Sequence, residues 1–274
     1  MNEENRNEEL ILLDLFNVLR RYKRLLLGLP LVGAILATLL VTLVLRPTWE
    51  ASAVLEVGHA GDQVPVEAIS NVITRMTLPS FAKGALSNSG INSDDLNEMG
   101  SFFKTLKVDQ VKGAELIELK IRGPSPEKAK ILMSGAIASL QKAHAEKLAV
   151  TVDKNKKQLQ FLVNEIQKST ADAELIKQKL LASHNWNAFD ATLSATVLKD
   201  KSDQLRDMTQ KKLLLEEQLS LSRSYNTKVL DDIYVSEDPV SPKKLLIIGL
   251  ATLLGLFGSV VIAFVHNALN SKPA

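Results

Sequence analysis

The sequence predicts an α+β membrane protein: two transmembrane helices flank an exported α/β base domain that carries a long protruding helix or helical hairpin. Three observations predict it. Leu25–Leu45 and Leu245–Val265 each run 21 residues without a charged side chain, and at 1.5 Å per residue each would span ~31 Å, the thickness of a bilayer core. Short alternating patterns typical of half-buried strands follow the first block. From Pro126 to Pro239 there is then no proline, and apolar residues recur at steps of three and four.

Both apolar blocks are apolar all round, whereas a core helix usually keeps a polar stripe. The first is too long for the apolar region of a signal peptide, and Pro47 and Trp49 follow it instead of a small-residue cleavage site, so it is expected to stay in the mature protein. Arg20, Arg21, Lys23 and Arg24 crowd its N-terminal flank and act as topology anchors, while Arg46 stands alone on the far side. The positive-inside tendency then makes residues 1–24 and the tail 266–274 cytoplasmic and exports residues 46–244. Lys243 and Lys244 run against that tendency, but the first helix usually dominates. The N-terminal stripe of Leu12, Leu15, Phe16 and Leu19 either lies on the membrane surface or extends the first span.

Within the exported segment, residues 46–125 and 231–238 are expected to form the α/β base. Trp49, Ala51, Ala53, Leu55 and Val57 alternate with polar neighbours in a strand from Thr48 to Val57. Two further strands are predicted, Leu106–Val111 and Glu115–Arg122, the latter with Ile117, Leu119 and Ile121 on one face. Val66–Leu86 reads as helical but broken by Pro79, and Ser87–Asp95 as a turn-rich loop. Ser125 and Pro126 mark the start of a helix running to about Ala182 within the helical region 126–222. Its length would be ~85 Å, more than a domain of this size can cover. Ser183–Asp190 is the expected tip, and a return helix should follow from Thr192 to about Ser222, its apolar seam interrupted by Lys212. Asp231–Val235 can come back to the base as a strand.

Pro239 and Pro242 form a juxtamembrane linker that restricts the backbone before the second span, either transmitting the geometry of the base or simply separating two elements. In that span Ala251, Gly255 and Ser259 repeat every four residues, a small-residue face suited to membrane-helix packing, with plain lipid-facing filler as the alternative.

Candidate chemistry is sparse. His59, His144, His184 and His266 are scattered without metal-site spacing and read as surface or interface residues. Glu216–Glu217 and Asp231–Asp232 are neighbours in sequence and read as solvated pairs. There is no Gly-x-x-x-x-Gly-Lys-Ser/Thr loop, and the short tail leaves no room for a nucleotide-binding domain. The expectation is therefore no enzyme, no catalytic residue, no cofactor and no metal. Cysteine is absent, so no disulfide framework supports the fold, and a net charge of +2 without a concentrated basic face argues against nucleic acid as a partner.

Four runs carry a resemblance: Asp14-Leu15-Phe16 through Leu19-Arg20-Arg21, Arg46-Pro47-Thr48-Trp49-Glu50-Ala51, Ser125-Pro126-Glu127-Lys128-Ala129, and Pro239 to Lys244. In this order, between two 21-residue spans, the chain resembles the Wzz-type polysaccharide co-polymerases, the O-antigen chain length determinant family. It departs from them in a rather short exported domain and in Gly255-Leu256-Phe257-Gly258, where a full glycine-x-x-x-glycine is usual. The resemblance implies an inner-membrane protein with an α/β base at the membrane, a long helix projecting into the periplasm, and several protomers in a bell-shaped ring. It implies a regulator that sets O-antigen modal length for a separate polymerase of the Wzy type, with lipid-linked polysaccharide as a further candidate partner. The alternative is a periplasmic adaptor of a capsule or other polysaccharide export system. A two-span sensor is disfavoured, because a nine-residue tail cannot carry a signalling module.

Overall fold

The computed structural model describes residues 18–61, 64–182 and 188–270. In chain order the elements are α1 (Lys23–Leu43), β1 (Trp49–Glu56), β2 (His59–Ala60), α2 (Ile69–Met76), α3 (Pro79–Asn88), α4 (Leu96–Thr105), β3 (Lys107–Gln110) and β4 (Leu116–Gly123). Then come α5 (Pro126–Ala182), α6 (Ala188–Gln218), β5 (Ser224–Tyr225), β6 (Lys228–Val229), β7 (Tyr234–Val235) and α7 (Lys244–Asn270). They fall into two compact units. One holds the chain ends, through Glu50 and from Ser236, with Gly123–Pro126; the other holds Ala51–Arg122 and Glu127–Val235.

In the first unit α1 packs on α7, and both are long and apolar enough to cross a membrane. Their outer faces stay bare, with Leu27, Leu31, Leu246 and Leu254 all exposed, as a lipid-facing surface requires. Next to them the chain entering and leaving is tied by backbone bonds, Thr48 N–H to Ser241 O (2.9 Å), Val240 N–H to Thr48 O (2.9 Å) and Ser236 N–H to Glu50 O (2.9 Å).

The second unit is built on a five-stranded sheet of order β3-β4-β1-β6, with β7 also paired to β1. Both β6 (Leu55↔Val229) and β7 (Ala51↔Val235) run antiparallel to β1, so the returning chain closes along the entering strand. The β3–β4 hairpin (Lys107↔Lys120, Gln110↔Ile117) turns through Gly113, whose φ of 77° suits a residue without a side chain. Period-two alternation puts Ala51, Ala53 and Leu55 of β1 and Ile117, Leu119 and Ile121 of β4 on one buried face. Against that face pack Val72 and Met76 of α2, Phe81 and Leu86 of α3, Phe102 of α4, and Met133, Ala136 and Leu140 of α5. Each large side chain fully buried in this way contributes roughly 1.5–3 kcal/mol. A Cβ built on Gly135 would collide with Ala85 O, so α5 crosses α3 backbone against backbone.

Several boundaries differ from the sequence expectation. The first strand is Trp49–Glu56, because Thr48 bonds across to Ser241 instead of continuing the ladder. Pro79 does break the Val66–Leu86 segment, and it does so by starting α3 at a position where its missing N–H costs nothing. The loop expected at Ser87–Asp95 begins only after Asn88, and α4 was not expected at all. Its start is marked in the sequence: Asp95 accepts a bond from Asn97 N–H, and Glu98 stands three residues on. The return helix spans Ala188–Gln218 instead of Thr192 to Ser222. Its end comes early because serine hydroxyls capture the last carbonyls, Ser220 Oγ–H donating to Glu217 O and Ser224 Oγ–H to Gln218 O, both at 2.6 Å. Of the expected tip, Ala188–Asp190 are helical, while residues 183–187, like Leu12, Leu15 and Phe16, lie outside the described residues. The expected strand Asp231–Val235 shrinks to β7, and β5 and β6 are additional. The second apolar helix continues past Val265 through His266 to Asn270, so the expected tail from His266 begins as helix. The first starts at Lys23 and ends at Leu43, two residues before each expected boundary.

The long helix is α5, 57 residues and ~85 Å. Its buried residues run from Ala129 to His144, and beyond that only Ser169 is buried. The distal part is half of an antiparallel hairpin with α6, in which Lys201 Nζ reaches Asp172 Oδ2 at 3.9 Å. No described residue of α6 is fully buried.

Candidate functional site

Among the described residues no group of three or more His, Asp or Glu side chains is placed to hold a metal ion. What the fold assembles is two polar clusters, one apolar groove and one close helix contact.

The most connected cluster joins four stretches of sequence. Glu67, nearly buried, receives a two-pronged contact from Arg75 of α2 (Nε to Oε2 3.0 Å, Nη2 to Oε1 3.0 Å) and one from Lys147 of α5 (2.9 Å). His144, one helical turn before Lys147, is fully buried with its Nε2 3.3 Å from Glu67 Oε2, an electrostatic contact lacking hydrogen-bond alignment. Its Nδ1 meets Thr227 Oγ1 at 2.5 Å, and that hydroxyl accepts from Gly58 N–H at 2.9 Å. Gln141 of α5 donates to Thr227 O (3.1 Å), and Asn226 donates back to Gln141 O (3.0 Å). A Cβ on Gly58 would lie within 2.7 Å of three backbone atoms of residues 225–227, so the returning segment lies directly on the entering one. Burial pushes the His144 pKa down, outweighing the pull of Glu67 in the other direction. Burial also pushes the Glu67 pKa up, but the bonds and charges of Arg75 and Lys147 together outweigh it and hold the carboxyl below its usual range.

His144 therefore corrects the expectation of a surface or interface histidine. The signal was available: Met133, Ile137, Leu140 and His144 follow steps of four, three and four along the buried face of α5. His59 is also largely covered. Its Nδ1 lies 2.9 Å from Tyr225 Oη, which donates to Glu56 Oε1 at 2.5 Å, while Lys228 pairs with Glu56 Oε2 at 3.1 Å. Burial and the bond to Glu56 push the Tyr225 hydroxyl up to about 12, so it stays a donor.

In the helix pair, the small-residue face named from sequence lies toward α1 of the same chain. A Cβ on Gly255 would sit 2.9 Å from Pro30 Cα and 3.0 Å from Leu29 O, and one on Gly33 would sit 3.1 Å from Ala251 O. Ser259 is fully buried, its hydroxyl donating to Leu256 O at 2.6 Å. Arg20, Arg21, Lys23 and Arg24 are all exposed. Pro239 is exposed and Pro242 half-buried, and with Val240, Lys243, Lys244 and Leu245 they line a concavity of about 510 Å³.

On the hairpin, Val150, Phe161 and Leu162 of α5 and Leu214 and Leu215 of α6 line an open groove of about 860 Å³. Its apolar floor stays wet: Val150 is 72% exposed, Phe161 64% and Leu214 58%. Lys212 is half-exposed and pairs with Glu216 at 3.2 Å along its own helix.

Fold and site define the class: an α/β unit bearing a long helical hairpin, with a helix of membrane-spanning length near each end of the chain. Residues 8–105 match the family model of the Wzz chain length determinant protein, and residues 204–268 match GNVR, a G-rich domain whose description places it on tyrosine kinases. Over residues 8–105 the chain is thus similar to the Wzz chain length determinants. Similar solved structures include a full-length bacterial polysaccharide co-polymerase (16% identity, TM-score 0.42, 94% of this chain and 99% of that one). A fragment of WzzB, a polysaccharide co-polymerase from Salmonella Typhimurium, is similar at 15% identity and TM-score 0.33 over 71% of this chain and all of its own. The Shigella flexneri O-antigen chain-length regulator WzzB aligns at 11% identity and TM-score 0.21, over 68% of this chain and 97% of that one. No curated protein matches the chain.

Proposed function

We propose that this protein regulates the modal length of lipopolysaccharide O-antigen made by a separate, Wzy-type membrane polymerase, acting as a homo-oligomeric scaffold and forming no glycosidic bond itself. It is a two-pass inner-membrane protein in this reading, with both termini cytoplasmic, the unit between the spans periplasmic, and lipid-linked polysaccharide as a further contact. The observation that carries it is the pairing of the Wzz match over residues 8–105 with a hairpin whose apolar side chains a single chain leaves open. Two paired helices bury too little to hold ~85 Å of α5 without further cover. Pro239 and Pro242 are proposed to transmit the geometry of the assembly to the bilayer, and the α1–α7 contact at Ala251, Gly255 and Ser259 to keep the two spans as one body.

The test is the lipopolysaccharide ladder of a strain lacking the gene. O-antigen should still be polymerised but without a preferred length, and an unchanged ladder would sink the reading. Replacing Pro239 and Pro242 together by Ala should blur the ladder at unchanged protein level if they transmit geometry; a sharp wild-type ladder would leave them as spacers. The GNVR match over residues 204–268 favours one other reading, an adaptor in capsule or other polysaccharide export. In that case the deletion strain would lose surface capsule and keep its O-antigen ladder.

A further inference from the structure

We propose that His144 is a proton-operated latch: neutral, it ties the returning segment 224–229 to α5, and protonated, it lets that segment go. The inference stands apart from the polymer on which the protein acts.

The placement of Glu67, Thr227 and Gly58 around the ring favours one tautomer of His144. A ring hydrogen on Nε2 faces the Glu67 carboxylate, which leaves Nδ1 to accept the hydroxyl hydrogen of Thr227, whose oxygen itself accepts from Gly58 N–H. The ring hydrogen sits on Nε2, toward Glu67 Oε2. A second proton can enter only at Nδ1. There it turns the acceptor of Thr227 into a donor, and the threonine hydrogen loses the only acceptor the cluster offers it. Leaving such a group unpaired in a buried site is costly.

The charged groups facing the ring are Glu67 from the segment before α2, Arg75 from α2 and Lys147 from α5. Glu67 would welcome the imidazolium, but its carboxylate is already engaged, by Arg75 on both oxygens and by Lys147 on Oε2. A third cation therefore enters a place where two already stand, beside the buried Glu67 and Thr227. Burial outweighing the attraction of Glu67 agrees with this balance.

What the latch holds is the segment between β5 and β6. Val229 pairs with Leu55 at the end of β1, so loosening Thr227 frays the sheet at its β6 edge. The bonds between Gln141 and residues 226–227 do not titrate, so the segment loosens without leaving.

The test is hydrogen exchange on the full chain in detergent, followed on a peptide covering 224–229 and corrected for intrinsic rates. With the open state titrating near the usual 6.5 and the closed state lower, protection is full above 6.5 and is lost as the pH falls through it. The loss reaches up to about tenfold per pH unit until the closed-state pKa is passed. His144→Asn offers an amide oxygen where Nδ1 stood and cannot titrate, so its protection should not change with pH in this range. His59→Asn touches the same segment through Tyr225 and should keep the wild-type slope. Thr227→Val, which keeps the shape and removes the hydroxyl, should show low protection at every pH and no slope. A flat wild-type profile, an unchanged slope in His144→Asn or in Thr227→Val, or a slope abolished by His59→Asn would each overturn the proposal.

Discussion

Gly255→Leu tests whether the two apolar helices are held by backbone contact. The Cβ alone would stand 2.9 Å from Pro30 Cα and 3.0 Å from Leu29 O, and both are main-chain atoms that cannot rotate aside. Ordinary contact begins at 3.4 Å, so α7 must retreat by at least 3.4 − 2.9 = 0.5 Å before the rest of the leucine is placed. Overpacking of this kind costs about 1–3 kcal/mol. Between membrane helices the contact energy is mainly packing, so a loss of that size should separate the pair. Gly249 in the same helix is the matched control, since nothing lies within 4 Å of its built Cβ. The assay is intramolecular cross-linking. Tyr22 Oη lies 3.0 Å from His266 Nδ1, and the chain has no cysteine, so Tyr22→Cys with His266→Cys makes a unique thiol pair for a short bismaleimide. Cross-linking should slow at least several-fold in Gly255→Leu and stay at the parent rate in Gly249→Leu, with far-UV circular dichroism unchanged in both. Equal rates in the two leucine variants would refute the argument.

Two further outcomes are expected. An impermeant thiol reagent on spheroplasts should label Asn185→Cys and spare Asn5→Cys and Ser271→Cys; labelling of the tails alone would invert the topology inferred from Arg20 to Arg24. In detergent or nanodiscs the protein should form a homo-oligomer by mass photometry, and Phe161→Asp with Leu214→Asp, both exposed in the single chain, should shift it to smaller species without unfolding it. A wild type that is only monomeric removes the scaffold reading.

How far the sequence reads ahead depends on the range of the forces involved. The strand around Leu55, the strand through Ile117, Leu119 and Ile121, and the helix after Pro126 were all legible, because period-two and period-3.6 patterns are local records of which face is buried. α4 went unread, although its Asp95 cap was in plain sight, because its apolar face is only Leu96, Met99, Phe102 and Phe103 and is interrupted by Gly100. β5, β6 and β7 are two residues each, too short for any periodicity, and exist only because β1 and β2 offer them free edges.

From its sequence alone the chain determined its class: apolar runs long enough for a bilayer, a proline-free helical stretch, and the charges that flank the first span. These are one-dimensional properties, in which length and composition suffice because the bilayer and the helix repeat set the scale. Which residues meet was decided only in three dimensions. Gly255 facing Pro30, and Glu67 gathering Arg75, His144 and Lys147 beside Thr227, join positions as many as 225 and 160 residues apart (255 − 30 and 227 − 67). No local pattern encodes such partners, because a buried charge takes whichever donors the packing of distant elements brings within about 3 Å, and a lone histidine in a sequence does not show which they are.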